Sequence, residues 1–428
     1  MKTKPLISLK ILLGILVSGI LVYNFYVANN LKYETGGDAV SFIGLGLSLA
    51  EFQKYGHIKV SEGSLMEAFK NKQISWEEIS FVGKSTWRPP VWPFLIAGIF
   101  LIFGYNLTYL LIFKFLLHLL GIFIFYKTLK LLKIKEVLIL AGCFLYAIHP
   151  AWQLYSRVFL SEPITFFFMS LWVYLLVRYF QHKKGFIMQS LVAGIMILAH
   201  PYYIFLPFSI WLILFIKKQI PFKSLFLSSL ICTAIVFSWV IRNSIVLDTS
   251  ELILTTSSGA VMAKGWNEDV PRLHTNTKGD LADETLVLKD YEYKPEKSNN
   301  EVERMELYKN ASLHFIKTNP DLVLPIIWKK LKSAFNPFPE TPRPGVLETG
   351  RIIFQVLALF SLLYLLIFSR NKLLRSLVIG LVLSTIGITI ITYSGFRFRM
   401  PQVGLELLLL IGMLGEVLPT LRKKIPKG

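Results

Sequence analysis

Cysteine is nearly absent: two residues in 428, Cys143 and Cys232, each inside an apolar run. They read as small core residues rather than as a disulfide or a metal site. Charge is scarce as well. Only 17% of residues are charged against 54% hydrophobic, and mean hydropathy is +0.53. Those values exclude disorder and argue against a soluble domain. Nucleotide signatures are missing, with no Gly-x-Gly-x-x-Gly after a strand and no P-loop. There is no internal repeat, no low-complexity tract and no metal-ligand cluster. A glycolipid transporter or flippase is the alternative function for such a chain, and the lack of repeated halves speaks against it.

The chain is instead rich in apolar runs near the twenty residues that cross about 30 Å of hydrocarbon as a helix. Ten spans are expected, at 7–27, 107–126, 136–150, 160–180, 186–199, 201–216, 223–241, 350–369, 373–392 and 401–419. The first is taken as a retained helix rather than a signal peptide, because further spans follow it. The pair 186–199 and 201–216 is short for crossing. Val91–Phe103 is shorter still and is read as an interfacial or re-entrant helix. The fold class is therefore an all-α polytopic membrane protein of about ten transmembrane helices.

A net charge of +19 would point to nucleic acid in a soluble protein. Here it is an orientation signal. If Val91–Phe103 does not cross, the N-terminus and the connectors 127–135, 181–185, 217–223, 370–375 and 422–427 are cytoplasmic and hold sixteen basic residues beyond the N-terminus. The short outer turns then hold Arg157, Arg397 and Arg399 alone, as the positive-inside rule requires. Two long outer loops remain, 28–105 and 242–349. The second carries Val302, Met305, Tyr308, Ala311 and Phe315 at helical spacing, and an apolar stretch Leu322–Trp328 expected to lie on the surface. Three regions result: 1–241, 242–349 and 350–428. The inner connectors are too short to house a nucleotide-binding domain. Chemistry belongs outside, where an activated substrate most simply arrives attached to a lipid.

Within the first outer loop, Thr35-Gly36-Gly37-Asp38 offers a carboxylate just beyond a span, and Trp87-Arg88-Pro89-Pro90-Val91-Trp92-Pro93 a cation in a stiff aromatic setting. An acid and a cation on one side of a bilayer suggest proton removal and phosphate binding. On spacing alone, Asp38 reads first as the N-cap of a helix over 39–52, a role compatible with catalysis.

These segments resemble membrane glycosyltransferases of the GT-C fold, in the branch of protein O-mannosyltransferases and of the aminoarabinose transferases that modify lipid A. Asp38 with Phe42, Leu45 and Leu49 resembles that family's first acidic motif. Arg88-Pro89-Pro90 through Phe103-Gly104 resembles its Pro-Pro segment, and Ala147–Pro150 through Leu160-Ser161-Glu162 the region of its second acid. Trp239–Asn243, with Ser258-Gly259 and Gly265-Trp266-Asn267, resembles its W-x-x-R-N element, and Phe396–Pro401 its R-x-R-x-P element. Ala39 follows Asp38 where a second carboxylate is common, and His200 stands where a basic residue is common. Sugar and acceptor stay open.

The resemblance implies a GT-C-like bundle and an inverting transfer from a polyprenyl-phosphate sugar to a lipid, glycan or protein acceptor. It would act at the outer face of an inner (cell) membrane, with no cofactor, no metal and no nucleic acid. It makes Asp38 the general base, with a pKa raised by partial desolvation, and Glu162 a second acid that orients hydroxyls. Arg88, Arg242, Asn243, Arg397, Arg399 and Lys114 become phosphate contacts, and Trp87 and Trp92 contacts for sugar or lipid. The competing readings are headgroup pairing for Arg88, a helix-end anchor for Arg242 and Asn243, a macrodipole acid for Glu162 and a snorkelling lysine for Lys114.

Overall fold

A computed structural model describes residues 37–60, 79–183, 185–271, 283–289, 300–338, 345–393 and 395–424, with Gly14, 17–19, Val22 and Leu65. The run expected to cross at 7–27 lies largely outside the described residues. Helix α1 (Asp38–Phe52) opens the described chain. Strands β1 (Gly56–Val60) and β2 (Ile79–Lys84) pair antiparallel, the one sheet among the described residues. Then follow α2 (Val91–Phe103), α3 (Leu107–Leu131), α4 (Glu136–Ile148), α5 (Pro150–Tyr155), α6 (Glu162–His182), α7 (Phe186–Ala199), α8 (Phe205–Ile216) and α9 (Phe222–Leu247). The second loop carries α10 (Ser258–Gly265), α11 (Glu301–Thr318) and α12 (Pro320–Phe335). The chain closes with α13 (Val346–Phe368), α14 (Lys372–Ile391), α15 (Phe396–Arg399) and α16 (Val403–Lys424).

Seven helical segments among the described residues are long and apolar enough to cross: Leu107–Leu131, Glu136–Tyr155, Glu162–His182, Phe222–Leu247, Val346–Phe368, Lys372–Ile391 and Phe396–Leu418. The expected pair 186–199 and 201–216 does not reach that length. His200 is extended at φ −152°, as the residue before a proline must be, and the helix breaks there. The pieces α7 and α8 have 14 and 12 residues, roughly 20 Å each at 1.5 Å per residue. Helix α2, with 13 residues, is short by the same measure. The apolar stretch 322–328 lies within α12; Leu324 and Trp328 face out while Ile326 is buried.

Helix α16 runs through the middle, buried at every residue from Val403 to Met413. Its all-round apolar sequence requires that position. It packs on α4, α6 and α13, while α6 also packs on α3 and α7, and α8 on α14. Gly380 permits the last contact: a Cβ there would lie 2.9 Å from the Cα of Ile210. Small residues let helix backbones approach where lipid offers no hydrophobic drive. The helix expected over 302–315 is α11, with Met305, Tyr308 and Ala311 buried. It packs against α10 and reaches the β-hairpin through Glu301.

Candidate active site

Four segments, far apart in sequence, bring charged groups to one place. Gly37, in the left-handed region at φ 62°, turns the chain into α1. It is the N-cap, so Asp38 is not the cap expected of it; Asp38 is the first residue of the helix, where its charge favours the dipole. One Asp38 oxygen accepts from Arg88 and the other lies 2.7 Å from Nη2 of Arg397. The Nε of Arg397 donates to Glu162, the first residue of α6. Glu162 is fully buried, and its Oε2 has no hydrogen-bond partner among the described residues. Two acids and two guanidiniums thus form one chain, Arg88–Asp38–Arg397–Glu162. His200 feels the charge of all four.

The electrostatics of Asp38 differ from the expectation. Burial pushes its carboxyl up, but the Arg88 and Arg397 guanidiniums outweigh burial and hold it at about 2. The raised value expected from desolvation alone left out the two cations. Arg88 is steadied from α1 and the residue before the β-hairpin. Its carbonyl accepts from the Tyr55 hydroxyl at 2.8 Å, and its guanidinium lies 5.5 Å from the Phe42 ring.

The other predicted residues divide. Arg242 lies over the rings of Trp239 (4.7 Å) and Tyr55 (5.2 Å) and donates to the Asn243 Oδ1 at 3.1 Å. It has no carboxylate partner among the described residues. Trp87 lines an open cavity beside α1. The remaining four have structural partners. The Asn243 amide donates to the carbonyls of Ile253 (3.0 Å) and Leu254 (3.1 Å), tethering the loop after α9. Arg399 is buried against Glu406 at 2.8 Å and the Ala334 carbonyl at 3.0 Å. Lys114 is buried and caps the carbonyls of Ser156 (2.6 Å) and Val158 (2.7 Å). The indole of Trp92 is buried and donates to the Phe159 carbonyl at 3.0 Å. Each of the four has partners inside the protein that account for its position by packing and loop tethering.

Two residues were missed. Glu301, at the start of α11, accepts from Ser85 Oγ (2.6 Å), Thr256 Oγ1 (2.7 Å), His57 Nε2 (2.8 Å) and the Thr86 N–H (2.9 Å). Burial pushes its carboxyl up, and these four donors bring it down to about 2. It fastens the second loop to the segment carrying Arg88. One turn on, Arg304 lies 4.8 Å from the Trp87 ring. No sequence signal marks either: Glu301-Val302-Glu303-Arg304 reads as a solvated helical face. No group of three or more His, Cys, Asp or Glu able to hold a metal occurs among the described residues.

Residues 87–241 match the family model described as dolichyl-phosphate-mannose-protein mannosyltransferase. No curated protein and no solved structure matches. The matched stretch holds Arg88 and Glu162; Asp38 and Arg397, which pair with them, lie on either side of it. With its helical membrane architecture and this match over part of its length, the chain resembles the polytopic membrane glycosyltransferases of GT-C type, the dolichyl-phosphate-mannose-protein mannosyltransferases among them.

Proposed function

We propose that this chain is an inverting glycosyltransferase that moves a sugar from a polyprenyl-phosphate donor to an acceptor at the extracytoplasmic face of the cell membrane. The observation that carries the reading is the Arg88–Asp38–Arg397–Glu162 chain of ion pairs. It sets a carboxylate between two cations, the charges needed to take a proton from a nucleophile and to receive a phosphate leaving group.

In this reading the acceptor's O–H or N–H attacks the anomeric carbon. The bond from that carbon to the phosphate oxygen breaks, the electron pair leaves with the polyprenyl phosphate, and the acceptor proton passes to Asp38. A single displacement inverts the anomeric centre. Glu162 holds Arg397 in place and orients sugar hydroxyls through its free oxygen.

An apolar groove of about 360 Å³, lined by Pro90, Val91, Phe94, Phe168, Ile195 and Trp239, supports a lipid tail beside this cluster. Arg242 stands over Trp239 at one edge of it, without a carboxylate partner among the described residues. That favours Arg242 as the first phosphate contact. Arg88 then joins by turning from Asp38 to the incoming anion. Losing one guanidinium moves the Asp38 pKa back toward its ordinary range, so donor binding readies the base.

Purified protein in nanodiscs, supplied with a synthetic polyprenyl-phosphate sugar and candidate acceptors, tests the reading. Transfer with inverted configuration, lost in Asp38→Asn, is expected. Full activity of Asp38→Asn removes the assigned base. Passage of a glycolipid across proteoliposomes with no bond cleaved would replace transfer by transport.

A further inference from the structure

Beside the ion-pair chain, on the side of Asp38 that carries Gly37 and Ser41, lies a cavity of about 540 Å³. Val40, Ser41, His57, Ile58, Trp87 and Arg304 line it. It shares no lining residue with the apolar groove. Its walls come from α1, the β-hairpin, the Trp87 segment and α11, none of them a spanning helix.

Among the described residues Arg304 is the one arginine on the wall, and no carboxylate there compensates it. It makes no salt bridge among the described residues, and its Nε is buried with no hydrogen-bond partner there. Glu301, three positions earlier on α11, is already taken by four donors. Trp87 supports the guanidinium through its ring at 4.8 Å, which fixes the plane of the fork without using its donors. A buried donor left unpaired is costly, and an oxyanion satisfies an arginine fork better than any neutral group. Val40 and Ile58 supply an apolar wall next to it.

We propose that this cavity is the acceptor site and that Arg304 recognises a negatively charged oxygen group, of the phosphate-ester kind, on the acceptor. The proposal rests on the transferase reading. The donor's phosphate is assigned to Arg242 and Arg88 at the apolar groove, so the anion met by Arg304 belongs to the other substrate. The acceptor is then an amphiphile: an anionic group at Arg304, an apolar body along Val40 and Ile58, and a nucleophile reaching Asp38.

A binding experiment separates this proposal from the transferase reading, because no sugar need move. Both native cysteines are buried, so Val40→Cys in full-length protein gives a thiol that reports on the cavity through its rate of maleimide labelling. The probes are glycerol 3-phosphate, dioctanoyl phosphatidic acid, dioctanoylglycerol and a sugar-free polyprenyl phosphate. The two acceptor-like phosphates are expected to slow labelling, with an apparent affinity about tenfold weaker in Arg304→Gln and partly retained in Arg304→Lys. Protection by phosphatidic acid alone identifies the source as a lipid headgroup; protection by both identifies a free phosphate ester as sufficient. Equal protection in Arg304→Gln, or equal protection by neutral dioctanoylglycerol, overturns the anion site. Protection by polyprenyl phosphate through Arg304 overturns the acceptor assignment and gives the cavity to the donor. The transferase reading fails separately, if no sugar leaves the donor in protein that still shows Arg304-dependent protection.

Discussion

Asp38 and Glu301 are two carboxylates, each held at about 2, and they are held by opposite means. Glu301 is closed in by four hydrogen-bond donors and no guanidinium: two hydroxyls, an imidazole and a backbone N–H. Asp38 is held by two charges, Arg88 and Arg397, and stays partly open, with 28% of its side chain exposed against 6% for Glu301. A shell of four hydrogen bonds on one carboxylate is short-ranged and leaves little for anything entering from outside to improve. A pair of guanidiniums can be drawn off by another anion, and the acid between them then changes its proton affinity. The first arrangement suits a fastening and the second a site that must respond to a substrate. Ser85, which bonds Glu301, and Arg88, which bonds Asp38, are three positions apart, so the fastening sets the position of the site.

Replacing each acid by its amide is the strongest way to break this contrast. Asp38→Asn should lower the turnover of folded protein by about 10³, within the span of a lost general base. Glu301→Gln should leave turnover per folded molecule within about tenfold, since no reacting atom is touched. Equal losses in the two variants would show that the contrast has no functional meaning.

Acid unfolding tests the same contrast through stability. The Glu301 carboxyl is depressed from 4.5 to about 2. Its contribution is therefore fully present above about 4.5 and is lost as pH falls toward 2, at most about 3 kcal/mol by linkage. Glu301→Gln should be less stable than the parent at neutral pH and should show a flatter decline between pH 4.5 and 2. Denaturant midpoints at a series of pH values measure it. An unchanged acid limb would mean that the shell around Glu301 does not favour its charged form.

The sequence made the helices legible because apolar runs of spanning length have few other readings, and Pro201 marked its own break. Asp38, Arg88, Glu162 and Arg397 were legible among ten candidates through the resemblance, Asp38 and Glu162 each opening a helix. The partners of those charges were not. Arg397 and Arg399 look alike in Phe396–Pro401, yet the short turn of α15 sends one to Asp38 and Glu162 and the other to Glu406. The sign of the Asp38 shift was missed for the same reason: it depends on cations 50 and 359 positions away. The β-hairpin escaped because its strands lie too far apart for a turn signature, and Gly56 weakens the first. Glu301 and Arg304 were hidden in a helix whose charge pattern is that of a solvated surface.

A smaller effect is expected at Arg242, the cation without a carboxylate among the described residues. Arg242→Gln should raise the donor KM about tenfold and lower turnover less, since the contact forms on binding and persists through the reaction. Arg397→Gln, by contrast, should act mainly on turnover. Steady-state kinetics over a donor series separates the two. If Arg242→Gln left the donor KM unchanged, the phosphate would belong to Arg88 and Arg397 alone, and the open character of the Asp38 site would have to come from those two cations.

The smallest effect concerns the two tryptophans flanking Arg88. Trp87 meets the cavity, whereas Trp92 is wholly buried and its N–H is committed to the Phe159 carbonyl. Trp92→Phe keeps most of the ring packing and removes one hydrogen bond, a loss of about 1 kcal/mol in stability. Both substrate KM values should stay within about twofold, because a contact spent inside the protein has nothing to offer a ligand. Trp87→Ala should instead raise the acceptor KM, since it removes the ring that holds the Arg304 guanidinium. A shift in KM for Trp92→Phe would mean that its partner opens during the reaction. Closed hydrogen-bond shells could then no longer be taken as marks of structure, and the distinction between Glu301 and Asp38 would have to rest on charge alone.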